Sequence, residues 1–104
     1  DALLKRSVER AEAEPSNANL WLELGGLYED RGLYRQSFGA FSRAAATNPG
    51  LVVAHFRSAR VADRLPAANE TIAFCRSFLD RVRGNDLAYE TAWCVQRIRE
   101  LLIR

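Results

Sequence analysis

Apolar residues along this chain return every three or four positions, and no stretch alternates with the period of two that a half-buried strand requires. The pattern predicts six helices. The first covers about residues 2–13, with Leu4, Val8 and Ala11 on one side, and Pro15-Ser16-Asn17 stops it. The second covers about 18–31, with Leu20, Trp21, Leu24, Leu27 and Tyr28 apolar, and closes on Gly32, a residue suited to the turn just past a helix. The third, about 34–47, carries Phe38, Phe41, Ala44 and Ala45 and meets the breaker Asn48-Pro49-Gly50. The fourth, about 51–64, carries Val52, Val53, Phe56 and Val61 and is broken at Leu65-Pro66, because a residue before proline avoids helical geometry. The fifth, about 67–82, carries Ile72, Cys75, Phe78, Leu79 and Val82 and ends before Gly84-Asn85. The sixth, about 87–103, carries Tyr89, Trp93, Val95, Ile98, Leu101 and Leu102. Links of a few residues fold successive helices back on each other as antiparallel hairpins. The expected class is all-α, with about six helices in a single domain.

The second and third helices carry a further pattern. Trp21, Leu24, Gly25 and Tyr28 stand in the spacing W-x2-L-G-x2-Y; Ser37 and Phe41 follow as small-x3-F, then Ala44 and Pro49, with Gly32 and Tyr34 at the turn between the helices. This stretch resembles the tetratricopeptide repeat (TPR), whose signature has this order and spacing, with Ser37 in place of the usual Ala. The matched residues have packing reasons. Gly25 and Ser37 are small enough for two helices to cross closely, and Trp21, Tyr28 and Phe41 fill the space around that crossing. A mid-helix glycine costs about 1 kcal/mol relative to alanine, so Gly25 calls for such a reason.

The repeat period of that family is 34 residues. One step back from Pro49 reaches Pro15, so residues 1–17 read as the second half of a preceding repeat, with Leu4, Val8 and Ala11 displaced by about one residue from the frame. One step forward takes Trp21 to His55, Leu24 to Ser58, Gly25 to Ala59, Tyr28 to Ala62, Phe41 to Cys75, Ala44 to Phe78 and Pro49 to Arg83, and only Ala59 keeps the signature chemistry. The organisation read from this is a clear repeat at 18–51, a degenerate one at 52–85 and a terminal or capping helix at 86–104. The last helix has Tyr89 at the Trp position and Ala92 near the Leu position.

The resemblance implies an α-solenoid, a right-handed superhelix of hairpins whose first helices line a concave groove. It also implies a protein–protein interaction scaffold or adaptor that holds a peptide or partner protein there. On the second helix the groove side is Asn19, Leu22, Gly26 and Glu29, spaced i, i+3, i+7 and i+10 along one helical stripe. On the fourth it is Val53, Phe56, Arg60 and Asp63, with Arg57 beside them, and on the sixth Leu87, Glu90, Cys94 and Arg97. Leu22 and Phe56 are candidate apolar anchors for a ligand side chain or, equally, residues packed beneath a helix of a neighbouring repeat. Gly26 bares the helix backbone to a ligand or to an adjacent repeat. Arg57 and Arg60 are candidates to pair with an acidic peptide. Some TPR proteins clamp a chaperone's C-terminal carboxylate with groove Lys, Asn and Arg residues. Here Leu22 and Gly26 stand where that clamp has Lys and Asn, so that specificity is not carried over.

Composition narrows the remaining classes. The 104 residues are 48% hydrophobic and 27% charged, within the range of a globular domain. No apolar run nears the roughly 20 residues of a membrane span. A net charge of +2 does not by itself call for a polyanion. The basic residues are all Arg except Lys5, and they interleave with acids without an aromatic-plus-basic cluster. Nucleic-acid binding through the Arg-rich surface is therefore the alternative rather than the leading function. A second alternative is a self-associating assembly domain that uses apolar faces of the end helices (Leu4 and Val8, or Val95 and Leu102). There is one histidine, His55, at the degenerate Trp position, where it reads as a half-buried packing residue. No nucleophile, carboxylate pair or metal-ligand spacing accompanies it. No enzyme activity, cofactor, metal or small-molecule substrate is expected. Cys75 and Cys94, far apart in the chain, read as buried free thiols rather than a disulfide framework. The absence of Met suggests a piece of a longer protein or a processed chain, and the Ala and Arg content suggests a GC-rich bacterial source. Compartment is open between cytoplasm, slightly favoured, and periplasm.

Overall fold

The computed structural model describes residues 1–103; Arg104, the last residue of the 86–104 segment, lies outside the described residues. Six helices follow one another: α1 Ala2–Ala13, α2 Ala18–Asp30, α3 Tyr34–Thr47, α4 Val52–Ala62, α5 Ala68–Arg81 and α6 Ala88–Ile103. No strand occurs among the described residues. The links run from three residues, Arg31 to Leu33, to six, Val82 to Leu87. Such short links leave each helix no choice but to return along its predecessor. Substantial packing accordingly joins only consecutive helices, and it is most extensive within the hairpins α2–α3 and α4–α5. The result is an all-α helical-repeat layout measuring 42 × 28 × 19 Å. No described helix is long and apolar enough to cross a membrane.

The helix ends follow local chemistry. The Asp1 carboxylate accepts from the amides of Leu3 and Leu4 and so caps α1. Past α2 the chain reverses through Gly32 at φ +73°, and the amides of Gly32 and Leu33 satisfy the carbonyls of Glu29 and Tyr28. The largest departure from the expected bounds is at the end of α4, which stops at Ala62 rather than residue 64. Arg64 and Leu65 there bond three residues back, to Val61 and Ala62, so the restriction imposed by Pro66 tightens the last turn as well as breaking the helix.

Two buried clusters form the core. The first joins α1 to α4 through Ala11, Leu20, Trp21, Leu24, Ala44 and Ala54; the second joins α4 to α6 through Phe56, Ala59, Cys75, Phe78 and Cys94. Phe74 packs against both. At the centre of α2–α3 the Phe41 ring lies so close over Gly25 that a Cβ there would stand 2.4 Å from a ring carbon. The Ser37 hydroxyl donates to the Gly25 carbonyl at 2.8 Å and ties the same crossing.

Burial repeats along the chain with the period of 34 residues even where identity does not. Trp21 and His55, Leu24 and Ser58, Gly25 and Ala59, Ser37 and Thr71, Phe41 and Cys75, and Ala44 and Phe78 are buried pair by pair. The ring hydrogen bonds repeat too. The Trp21 indole donates to the Pro15 carbonyl at 2.9 Å, and the His55 Nε2 bonds the Pro49 carbonyl at 2.9 Å, one period on. In α1 the fully buried positions are Ser7 and Ala11, which step onto Phe41 and Ala45. The other buried α3 positions, Ser37, Ala40 and Ala44, step back onto exposed Leu3, Arg6 and Arg10, so α1 keeps the burial frame only in part, with Leu4 and Val8 partly buried beside it.

Candidate partner-binding groove

The first helices of the successive hairpins, α2 and α4, together with α6, carry every residue of the predicted stripe except Asp63, which follows α4 immediately, and Leu87, which precedes α6. Besides a hollow near Pro66 that takes in Asp63 and Arg97, two hollows among the described residues lie along them. The larger, about 520 Å³, runs along α2 and is lined by Leu3, Asn19, Leu22, Glu23, Gly26, Leu27, Asp30 and Arg57. The smaller, about 340 Å³, is lined by Glu29, Arg60, Asp63, Arg64, Tyr89 and Trp93.

An ion-pair cluster separates the two. The Glu29 carboxylate accepts from Arg57 at 3.1 Å and faces Arg60 at 3.6 Å, linking α2 to α4. The Arg57 guanidinium also lies over the Phe41 ring, 4.6 Å from its centroid, and that of Arg60 over the Phe56 ring at 5.9 Å. The motif returns between α4 and α6, where Arg97 donates to Asp63 at 2.8 Å and faces Glu100 at 3.6 Å. The hydrogen bond to Asp63 raises the Arg97 pKa further. Carboxylates at the end of one hairpin's first helix are thus held by arginines from the next.

Of the nine groove residues named from sequence, Asn19, Leu22, Gly26 and Arg57 line the larger hollow, and Glu29, Arg60 and Asp63 the smaller. Val53 is partly exposed and lines neither. Phe56 does not serve as an open anchor. It is 4% exposed, with its ring 5.5 Å from Phe78 and 5.6 Å from Trp93, because α6 covers that side of α4. Cys94 on the α6 stripe is likewise fully buried. A hydrogen bond with the Cys75 thiol, reinforced by burial, drives its pKa upward, so both cysteines are core residues and Cys94 stays protonated. Arg57 and Arg60, expected to be available to an acidic ligand, are engaged by Glu29.

The sequence stripe missed Glu23, Leu27 and Asp30. They lie four residues beyond Asn19, Glu23 and Gly26, and a stripe drawn at i, i+3 and i+7 is one residue too narrow for a helix face. Leu3, Arg64, Tyr89 and Trp93 come from other elements, and only the packing of those elements onto α2 and α4 brings them in.

The two mid-helix glycines of α2 differ in what surrounds them. Gly25 is required by the Phe41 ring. At Gly26 an added Cβ would meet only the Arg57 guanidinium, at an ordinary 3.5 Å. Packing within the described residues therefore does not demand a glycine at 26. Gly39 of α3 also has open space beside it; it lines a hollow of about 300 Å³ that includes Val8, Trp21, Leu24 and Arg43.

No family model matches the chain, and no curated protein matches it.

Proposed function

We propose that the chain is a TPR-type interaction module that holds an extended segment of a partner protein along α2, at the concave side expected of such a stack. The carrying observation is the larger hollow itself: a leucine-lined surface of about 520 Å³ with bare helix backbone at Gly26, which the surrounding packing does not require. A mid-helix glycine costs about 1 kcal/mol, and close approach of another backbone is what that cost provides. The family reading draws support from the 34-residue repetition of burial and from the paired ring-to-proline hydrogen bonds of Trp21 and His55. The engagement of Arg31, Arg57, Arg60 and Arg97 by carboxylates weighs against a nucleic-acid interface.

Photo-crosslinking tests this reading. A benzophenone side chain at Leu22 should capture a partner protein, and one at Gly39 should not. Capture from position 39 alone would move the binding surface to the α1–α3 hollow and end the proposal. With the benzophenone kept at Leu22, Gly26→Gln, where an added Cβ meets only the Arg57 guanidinium, should weaken capture while leaving the thermal melt no lower.

A second reading has its own observation. Val95, Leu102 and Ile103 are 36%, 57% and 80% exposed on α6, an apolar strip suited to self-association. Sedimentation at rising concentration checks it; a constant monomer mass dismisses it.

A further inference from the structure

The hollow along α2 has an electrostatic character that its arginine conceals. Its one cation among the described residues, Arg57, is already bound to Glu29 and stacked on Phe41. Its two carboxylates are far less committed. Asp30 is exposed and has no ion-pair partner among the described residues. Glu23 meets only Arg10, at 3.7 Å, with both side chains more than half exposed, a geometry that contributes little. The two carboxylates stand seven residues apart on one helix, about 10 Å along its axis, with Gly26 between them. Leu3, Leu22 and Leu27 supply the apolar surface beside them, and Leu3 is 56% exposed.

We infer that this hollow selects a basic, apolar segment: an extended stretch of another protein that places a large aliphatic side chain against Leu3, Leu22 and Leu27 and sends Lys or Arg side chains to Glu23 and Asp30. The inference rests on the reading of α2 as a binding surface and adds the chemistry of what binds there. It also reverses the polarity suggested by Arg57 and Arg60 in the sequence, because an acidic segment must displace Glu29 from both arginines and then lie beside the exposed carboxylates of Glu23 and Asp30. Bare backbone at Gly26 lets the segment's main chain pass close between the two acids.

Fluorescence anisotropy with matched, labelled synthetic peptides tests this. Leucines alternate with arginines in one, with glutamates in a second and with serines in a third; a fourth alternates arginine with serine. The Arg-Leu peptide should bind about tenfold more tightly than the Glu-Leu peptide, and its affinity should fall as salt rises. The Glu23→Gln/Asp30→Asn double variant, changed only at exposed positions, should lose most of that preference while melting like the parent. Amide shifts on binding should centre on Leu22 to Asp30.

Equal or tighter binding of the Glu-Leu peptide overturns the inference, as does a double variant that keeps the preference. Equal binding of the Arg-Ser peptide removes the apolar half and overturns it as stated, as do shifts centred away from α2. Binding by none of the peptides also overturns it. The crosslinking experiment at Leu22 decides the wider reading separately, since capture there of a partner lacking basic residues would keep the surface and discard this selectivity.

Discussion

The hairpins α2–α3 and α4–α5 solve one packing problem with opposite distributions of bulk. In the first, the large groups come mainly from the first helix (Trp21, Leu24 and Tyr28), and the second helix answers with Ala40 and Ala44 around the single ring of Phe41. One period on, those positions of the first helix hold the smaller His55, Ser58 and Ala62, although Phe56 and Val61 are buried beside them, and the second helix has grown to Phe74 and Phe78, with Cys75 in place of Phe41. Where Gly25 makes room for Phe41, Ala59 lies with the smaller Cys75 in one cluster. A close-packed interior fixes the sum of volumes across the interface, and that sum can be reached from either side. Residue types therefore change one period on, while the burial pattern of these two hairpins continues.

The exchange leaves the second hairpin weaker. Among the described residues Ser58 Oγ and His55 Nδ1 are buried without hydrogen-bond partners, whereas the corresponding Leu24 and Trp21 leave no such atom. Unmet polar groups of this kind cost about 1–3 kcal/mol each. The second hairpin is expected to open first.

The sharpest way to break the comparison is to truncate the two corresponding core positions. Phe41→Ala should lower stability by about 3–5 kcal/mol and Cys75→Ala by only about 1 kcal/mol in chemical denaturation. Equal losses would mean that Phe41 is not the centre of its hairpin. Next in size, Gly25→Ala should destabilise by about 1–3 kcal/mol despite alanine's better helix propensity, because the ring above it has no free space. Adding Phe41→Leu should recover part of the loss, and a double-mutant cycle with no coupling would show that the two positions act independently. Smaller again, and of opposite sign, Ser58→Ala should stabilise by about 1 kcal/mol by removing the unpartnered hydroxyl.

The subtlest difference is in pH. Burial, with Arg81 assisting, holds the His55 pKa below its ordinary 6.5 against the opposing pull of the Pro49 carbonyl. The unfolded chain then binds a proton before the folded one does. Stability is complete above about pH 6.5 and declines as pH falls below that value toward the folded pKa. Melting curves at mildly acidic and neutral pH should separate more for the parent than for His55→Phe, and an identical separation would show that another group titrates.

The groove was legible in part. Seven of the nine stripe residues line one hollow or the other, since helical spacing alone puts them on one side. The two exceptions have a common cause. A stripe assigns a face to a residue but not what covers that face, and α6 covers Phe56 while no neighbour encloses Val53. Charge was read in the same incomplete way. Arg57 and Arg60 looked available because Glu29, 28 residues from Arg57 in the chain, could not be seen beside them.

What the sequence determined by itself was local. Helix number, order and bounds follow from the period of apolar residues, from Gly32, from the Asn48-Pro49-Gly50 break and from Pro66, all of which act over a few bonds. The hairpin layout follows as well, because short links permit little else. Only the tertiary structure decided which faces stay open and which charges remain unpaired. Those depend on side chains about thirty residues apart meeting across helices, as Arg57 meets Glu29 and Arg97 meets Asp63, and one helix's periodicity carries no record of its neighbour's surface.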